Sequence, residues 1–513
     1  MRPGFRPGIA VRAKSLMVLG TASGVGKSII TAAFCRLLSD WGYKVAPFKA
    51  QNMSNNSWVT SGGGEIGRAQ AVQAECARVE ASVHMNPVLL KPAADNRSQV
   101  VLQGQAIGHF SARDFYATKP RLIEAIRESY DKLAAEYEVM VLEGAGSPAE
   151  VNLRDHDMVN MKMAEWAGAS CVLVGDIDRG GVFASLVGTL ELLEPHERER
   201  ISGFIINKFR GDASLLTSGL EFLERKTGKK VWGILPHDRE LWIEEEDALA
   251  LEEKPGPANT SALDIAVVLL PRISNFTDFE VLKHEPGVRV RYLKNPADLG
   301  RPDLLILPGT KATVADLEYL KLSGFESALW DYVEAGGRVL GICGGYQMMG
   351  RLILDPAGIE SGRQSTEGFG FFNMTTEFHA EKILRRVQRT LKIELWGSPV
   401  KGRAEGYEIH MGRTLHHEAY PPFGENGAVH PSGCFAGTYY HGLFEDQNFR
   451  RSFLRALAGV SGKPWQESGP ARSGAQIRDH HYNRLKDLLV TNLDLPGILG
   501  MLELSAPLGT RSS

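Results

Sequence analysis

Cysteine is scarce and scattered in this chain of 513 residues: Cys35, Cys76, Cys171, Cys343 and Cys434 lie far apart and form no CxxC pair. That excludes a disulfide framework and a zinc knuckle, and it fits a reducing cytoplasm. Long hydrophobic runs are missing too. No stretch reaches the roughly 20 apolar residues that span a bilayer. The basic start MRPGFRPGIAVRAK leads into a short apolar strand and a glycine-rich loop, not a signal-peptide core. The chain is therefore expected to be soluble and unprocessed, with no membrane partner. Charge of one sign is also lacking, since 58 Lys and Arg stand against 61 Asp and Glu for a formal charge of −3. Such a balance offers no field to gather a polyanion, so nucleic acid is not the expected partner.

What the chain does have is apolar residue enough for sizeable cores, 43% by count, and a length that at about 150 residues per domain suggests two to four domains. Apolar runs alternate with amphipathic stretches, the pattern of strands crossing over through helices into a parallel sheet. Strands are expected at Ser15–Leu19, Lys44–Phe48, Val139–Leu142, Cys171–Val174, Gly203–Ile206 and Val231–Ile234. Each ends in a cluster of Gly, Asp, Glu or Asn, and in open α/β sheets ligands bind at the carboxyl ends of strands. The stretch LEEKPGPANTSAL, Leu251–Leu263, has no period and reads as a boundary. Beyond it Asp264–Leu270, Leu304–Leu307 and Arg338–Ile342 restart a βα series, followed by β-like runs at Phe369–Glu377 and Gly406–Gly412. The economical reading is α/β with two doubly wound domains, 1–251 and 263–513, joined by a linker at 252–262. A helical stretch at Arg484–Val490 belongs to a C-terminal extension expected to pack on the second domain. No internal repeat is present, and no obligate protein partner is implied.

The strand SLMVL runs into GTASGVGKS, Gly20 to Ser28, and then into a helix expected from about Ile29. Strand, glycine-rich turn and helix in that order aim backbone N–H groups at phosphate oxygens. Lys27 would reach the terminal phosphates and Ser28 would bind Mg²⁺. Five residues separate Gly20 from Gly26, one more than the usual pattern, with Gly24 as a second flexible point. Glu143, directly after the strand VMVL, is a candidate metal ligand. Glu65 in GGGEIGRAQ is another, with a capping role as the alternative. Lys49, after the strand KVAPF, would balance phosphate charge or simply be solvated.

GICGGYQ, Gly341 to Gln347, follows a strand and precedes a short helical stretch. A strand-to-helix elbow exposes its central side chain, here Cys343, and needs glycine beside it. The helix N-terminus favours the thiolate. The Gly344 N–H, with a second from near Gly309 in LPGT, would form an oxyanion hole. A cysteine nucleophile needs a histidine base. His441 in GTYYHGLFE is the first choice and His410 in GYEIHMG the second.

Taken together, GTASGVGKS, VAPFKAQNMSNNS, GGEIGRAQ, NPVLLKP, EGAGSPAEVNL, GDIDRGGVFASLVGT, NKFRGD, LPGTK, GICGGYQMMG and GTYYHGLFE resemble the cobyric acid synthases, glutamine-dependent amidotransferases of cobalamin biosynthesis. The first half is also similar to dethiobiotin synthetase, which shares the longer phosphate-loop spacing, and the second half resembles class I glutamine amidotransferase domains. The resemblance implies a P-loop NTPase-like domain followed by a flavodoxin-like amidotransferase domain, with ATP and Mg²⁺ as cofactors and glutamine and a corrinoid as substrates. The implied reaction amidates the b, d, e and g carboxylates of adenosylcobyrinic acid a,c-diamide. By motif, Lys27 and Ser28 would hold the phosphates, Glu143 and Glu65 the metal, and Asn207 the adenine. Asp155 and Asp157 are candidates for substrate contact, with a solvated acidic loop as the alternative. Many amidotransferases place a Glu two residues after the histidine, whereas Leu443 stands there in this chain. That leaves a Cys–His pair whose orienting group is open, and nearby Glu445 is not assigned.

Two other readings compete. Cobyrinic acid a,c-diamide synthase performs the same chemistry on other carboxylates, but FKAQNMSNNS and DIDRGGVFASLVGT favour the first family. A P-loop switch ATPase commonly carries a lysine five positions before the loop lysine, where this chain has Ala22, and it would not explain the cysteine elbow.

Overall fold

A computed structural model of the chain describes residues 13–93, 97–244 and 262–505. The expected linker at 252–262 lies outside the described residues apart from residue 262.

The first domain is built on β1 (Lys14–Gly20), β2 (Val45–Phe48), β3 (Val139–Glu143), β4 (Ser170–Asp176), β5 (Ile201–Phe209) and β6 (Lys230–Pro236). They lie in the order β6-β5-β4-β1-β3-β2, and every pairing is parallel. Successive side chains of a strand point to opposite faces, and here both sets are apolar. Met17, Leu19, Met140, Leu142 and Leu173 enter one core, while Leu16, Val18, Val139, Val141 and Val172 enter another. A sheet apolar on both faces must be covered on both, which is why the strands read as continuous apolar runs.

The second core is closed by α1 (Lys27–Asp40) and, unexpectedly, by the end of the chain. The C-terminal extension starts on the second domain, as expected, with Trp465 in that core, but its helix leaves it for the first domain. Tyr482, Leu485 and Leu489 of the helix Gly474–Asn492 join Ile30, Phe34 and Leu37 of α1 in one cluster, followed by Ile498 and Leu499. Each such side chain contributes at most about 1.5–3 kcal/mol. Ion pairs add register. Buried Arg36 donates to Asp479 and Asn483, both at 2.8 Å. Arg478, also buried, reaches Glu75 on α2 (Arg68–Cys76) at 3.0 Å and Glu445 of the second domain at 2.8 Å. Glu445, left unassigned from sequence, is thus part of a buried junction between both domains and the C-terminal helix.

The second domain carries β7 (Leu263–Val268), β8 (Val288–Leu293), β9 (Leu304–Leu307), β10 (Val339–Ile342) and β11 (Phe435–Thr438), all parallel, in the order β8-β7-β9-β10-β11. Two short antiparallel strands complete that edge. Between β10 and β11 the chain forms a long hairpin, Phe372–Leu395 with Ser398–His416. It turns on Trp396 and Gly397, both at positive φ (54° and 74°), the geometry of a two-residue hairpin turn. One arm of this hairpin reaches the first domain, where Arg386 donates to the Val59 carbonyl at 3.2 Å and lies over the Trp58 ring.

Candidate functional site

Two groups of chemically competent residues occupy the carboxyl ends of the two sheets. In the first, β1 ends at Gly20 and the loop hands over to α1 at Lys27. Gly26 adopts φ 101°, and a side chain there would meet the Asn207 amide at 2.2 Å, so only glycine fits. No side chain caps α1, which leaves its first N–H groups directed at the loop. The Lys27 ammonium donates to the Ala22 and Gly146 carbonyls at 2.8 and 2.9 Å, and is thereby held across the loop mouth. Ser28 donates to the Glu143 carboxylate at 2.8 Å. The same carboxylate takes Lys49 at 2.9 Å and Gln73 at 2.6 Å. Burial works against the charged form of Glu143, and the Lys49 ammonium outweighs it, so the carboxyl sits below its usual range and stays ionised. Asn207, at the end of β5, donates to the Val25 carbonyl at 2.9 Å, beside Gly26. Lys208 joins the Gly24 carbonyl at 2.6 Å to Asp176 at 2.9 Å. The structure thus gathers Gly24, Gly26, Lys27, Ser28, Glu143 and Asn207 with Lys49, which is buried against Glu143 and not solvated, and adds Gln73.

An ionised carboxylate and a hydroxyl 2.8 Å apart form a hard-oxygen pair suited to Mg²⁺. Among the described residues no group of three or more His, Cys, Asp or Glu could hold a metal. A single carboxylate with a hydroxyl suffices for Mg²⁺ when phosphates supply the remaining oxygens.

Glu65 stands elsewhere. Its carboxylate is fully buried and takes Lys91 at 2.6 Å, Ser57 at 2.7 Å and Lys382 of the long hairpin. Burial opposes its charge, but Lys382 and Lys91 overcome that and hold it well below the normal carboxylate range. It locks the domain junction instead of facing Ser28. Asp157 also has a local task. Its carboxylate accepts the Val159, Asn160 and Lys162 backbone N–H groups at 2.9, 2.9 and 3.0 Å, ordering the start of the helix Met161–Ala167. Asp155 is exposed, and its carbonyl accepts from Lys119 at 3.1 Å. Both aspartates line a 360 Å³ surface pocket with Arg154, Lys162 and Arg200.

The second group centres on Cys343, which follows β10 and caps a one-turn helix, Gly344–Met348. Its φ of 50° and ψ of −109° are strained for any residue with a side chain, as a nucleophile elbow requires. Close packing explains the neighbouring glycines, since a Cβ on Gly345 would fall 1.9 Å from the Leu307 carbonyl oxygen. Gly309 lies against the ring of His441, a Cβ there being 3.0 Å from its Cε1, and Gly344 lies against Thr310. His441 is buried and donates from Nδ1 to Asp278 at 2.7 Å, while the Cys343 thiol donates to the Ile409 carbonyl at 3.5 Å. Burial alone would favour the neutral ring. The Asp278 carboxylate and its hydrogen bond reverse this, with the neighbouring Cys343 sulfur adding to the effect, and His441 is pushed up to about 10. His410 points into a different set of contacts: it stacks on Tyr439 at 4.0 Å, and its Nδ1 bonds the Gly412 carbonyl at 2.7 Å.

Asp278 fills the role that sequence reasoning left open. It comes from the helical turn Phe276–His284, before the cysteine in the chain, not from the position after the histidine that Leu443 occupies. It also accepts the Gly442 N–H at 2.8 Å, fixing ring and backbone together. Replacing Asp278 with Asn should lower glutamine hydrolysis about 10³–10⁴-fold, by loss of the tautomer that points Nε2 at sulfur. Glutamate release checks this, while ammonia-dependent amidation by the same variant should persist.

Residues 16–250 match the CobQ/CobB/MinD/ParA nucleotide binding domain, and residues 264–449 match the CobB/CobQ-like glutamine amidotransferase domain. The chain is therefore a glutamine amidotransferase joined to a nucleotide-binding domain. Its relatives include cobyric acid synthases of Syntrophobacter fumaroxidans (45% identical, covering 95% of this chain and 98% of that one) and Pelotomaculum thermopropionicum (47%, 96% and 98%). That of Sorangium cellulosum is 46% identical over 94% of this chain and 97% of its own. At this identity over nearly the whole length, the chain belongs to the cobyric acid synthase family, as its ordered motifs imply. No helix among the described residues is long and apolar enough to cross a membrane.

Proposed function

We propose that this protein uses ATP and glutamine to amidate the b, d, e and g carboxylates of adenosylcobyrinic acid a,c-diamide, giving adenosylcobyric acid. The observation that carries this reading is the pairing, in one chain, of a phosphate loop closed by Ser28 and Glu143 with a Cys343–His441–Asp278 elbow. A carboxylate does not react with ammonia in water until its oxygen becomes a good leaving group. In the first domain Lys27 and the α1 N–H groups bind and orient the phosphates of ATP, and substrate carboxylate oxygen attacks the terminal phosphorus to form an acyl phosphate with release of ADP. Ser28 and Glu143 would hold Mg²⁺, which when bound neutralises charge on the transferred phosphoryl group.

In the second domain the Cys343 proton passes to His441 Nε2 and sulfur attacks the glutamine side-chain carbonyl. The oxyanion meets the N–H groups at Gly344 and Gly309. The tetrahedral intermediate collapses, the C–N bond breaks, and His441 returns its proton to the departing nitrogen as ammonia forms. Water, deprotonated by His441, then hydrolyses the thioester to glutamate. Ammonia attacks the acyl phosphate, and phosphate leaves as the amide forms.

Mass spectrometry of the corrinoid after incubation with the protein, Mg²⁺-ATP and glutamine tests the reading. Four successive OH-to-NH₂ exchanges that require both ATP and glutamine are expected. No change with this substrate, but two exchanges with cobyrinic acid, would assign the chain to the a,c-diamide reaction instead.

A further inference from the structure

Three lysines converge beside the cysteine elbow, and two of them are committed to an acid. Lys91 and Lys382 both bind Glu65. The third, Lys311, directly follows the oxyanion segment Leu307–Thr310, and its ammonium senses both of the others. Among the described residues nothing hydrogen bonds or ion-pairs with the Lys311 side chain. It is half-buried, so it does not simply wave in open solvent. Burial, reinforced by Lys382 and Lys91, pulls it below the ordinary lysine range. Its backbone is anchored all the same. The Lys311 N–H donates to the Arg272 carbonyl at 2.9 Å, and the Arg272 guanidinium holds fully buried Asp316 at 2.9 Å.

Glu360 is the mirror case. One carboxylate oxygen accepts the Val314 N–H at 2.9 Å, and among the described residues the other has no hydrogen bond. This side chain is half-buried as well, and burial pushes it above the ordinary carboxylate range although Val314 and Lys311 pull the other way. Its loop is fixed by Asp355, which accepts the Ile359, Glu360 and Ser361 N–H groups at 2.6, 3.0 and 2.7 Å. Lys311 and Glu360 sense each other but form no ion pair. Two opposite charges on anchored backbones are thus each short of a counter-charge, which is costly for half-buried groups.

The pair lies beside the elbow. Thr310, next to Lys311, packs on Gly344, where an added Cβ would fall 2.7 Å from its Cγ2. Thr313, next to Val314, donates to Gln347 of the elbow helix at 3.1 Å. Lys91, which Lys311 senses, also senses the Cys343 sulfur. Glutamine carries its α-carbon about 4 Å beyond the amide carbon that sulfur attacks, with one ammonium and one carboxylate upon it. Such a zwitterion supplies both missing counter-charges at once. A ligand bearing carboxylate alone would satisfy Lys311 but set a second acid against Glu360.

We propose that Lys311 and Glu360 are the specificity-determining pair for glutamine: Lys311 binds its α-carboxylate and Glu360 its α-ammonium while the side-chain amide lies at Cys343. This rests on the reading of Cys343 and His441 as the glutaminase. The pair selects the free amino acid over a simple amide or a glutamine within a peptide.

The test measures ammonia release by the full chain from L-glutamine, from γ-aminobutyramide, which lacks the α-carboxylate, and from glutaramate, which lacks the α-ammonium. Wild type should lose about 10- to 100-fold in kcat/KM with each truncated amide. Lys311→Met should raise the KM for glutamine by about 10- to 100-fold with kcat within about threefold, yet hydrolyse γ-aminobutyramide as well as wild type does. Glu360→Gln should behave likewise, with glutaramate as the substrate it handles normally. Lys311→Arg should recover most of the loss. A merely structural role would lower all three substrates alike, and that outcome overturns the proposal. So does a wild type that hydrolyses either truncated amide as well as glutamine, a result independent of any variant's folding. A Lys311→Met chain with a normal KM for glutamine but a raised KM for the corrinoid diamide, with ammonium as nitrogen source, would assign the lysine to a corrinoid carboxylate instead. Ammonia release from glutamine by a Cys343→Ala chain at the wild-type rate would sink the glutaminase reading itself.

Discussion

A Cys343→Ala chain should lose amidation from glutamine by more than about 10⁴-fold yet still amidate the corrinoid from ammonium salts at alkaline pH. The size of the loss follows from the role of sulfur: without it no thioester forms, and the remaining groups only polarise the amide. The survival of the ammonia reaction follows from the architecture. Cys343 is held by the turn after β10, with its N–H bonded to the Thr438 carbonyl at 2.9 Å, and belongs to the core of the second domain. Truncating its side chain by one atom disturbs neither Lys27 nor Glu143. The readout is the mass of the corrinoid with each nitrogen source. A folded variant that ammonia fails to rescue would show that the two chemistries are not separate.

A Lys27→Met chain should behave in the opposite way and lose amidation from both nitrogen sources, by about 10²–10³-fold or more. The methionine keeps the length of the side chain, which is 7% exposed, so packing is preserved while the charge goes. The ammonium now suspended between the Ala22 and Gly146 carbonyls is already placed at the loop mouth, and its loss removes a preorganised charge that no neighbour can replace. Lys49 cannot substitute, because it is committed to Glu143 at 2.9 Å. Since a ligand that binds only the folded state raises the melting temperature, the rise that Mg²⁺-ATP gives the wild type should shrink or vanish in this variant. Retained ammonia-dependent amidation would contradict the assignment of the loop.

The contrast between what could be read in advance and what could not is clearest at individual residues. β1 and its loop are contiguous in sequence, so apolar residues, glycines, Lys27 and Ser28 announce themselves together. The elbow at Cys343 does the same, because the strain of its backbone and the 1.9 Å approach at Gly345 both demand glycine at adjacent positions. All six strands expected in the first half are present, with ends shifted by at most three residues. The long hairpin was seen only in part. Its Lys- and Arg-rich middle lacks clean alternation, and its turn is Trp-Gly where Asn-Gly would have been the recognisable signal.

Asp278 and Glu65 were not legible for a different reason. Asp278 meets His441 across 163 positions. Nothing in a linear pattern distinguishes it from other Asp residues. Glu65 had the surroundings of a metal ligand, but Lys91 and Lys382, one of them 317 residues away, take its charge. The C-terminal helix was assigned to the wrong neighbour because closeness in sequence is a poor guide once the cost of closing a loop grows only slowly with its length. Its apolar residues went where an uncovered sheet face remained. Local spacing alone settled the βα order, the phosphate loop and the cysteine elbow, since each depends on backbone geometry within a few residues. The partner of His441, the lock at Glu65 and the docking of the last helix were decided by burial, where a charge or an apolar face must find its complement wherever the folded chain brings one.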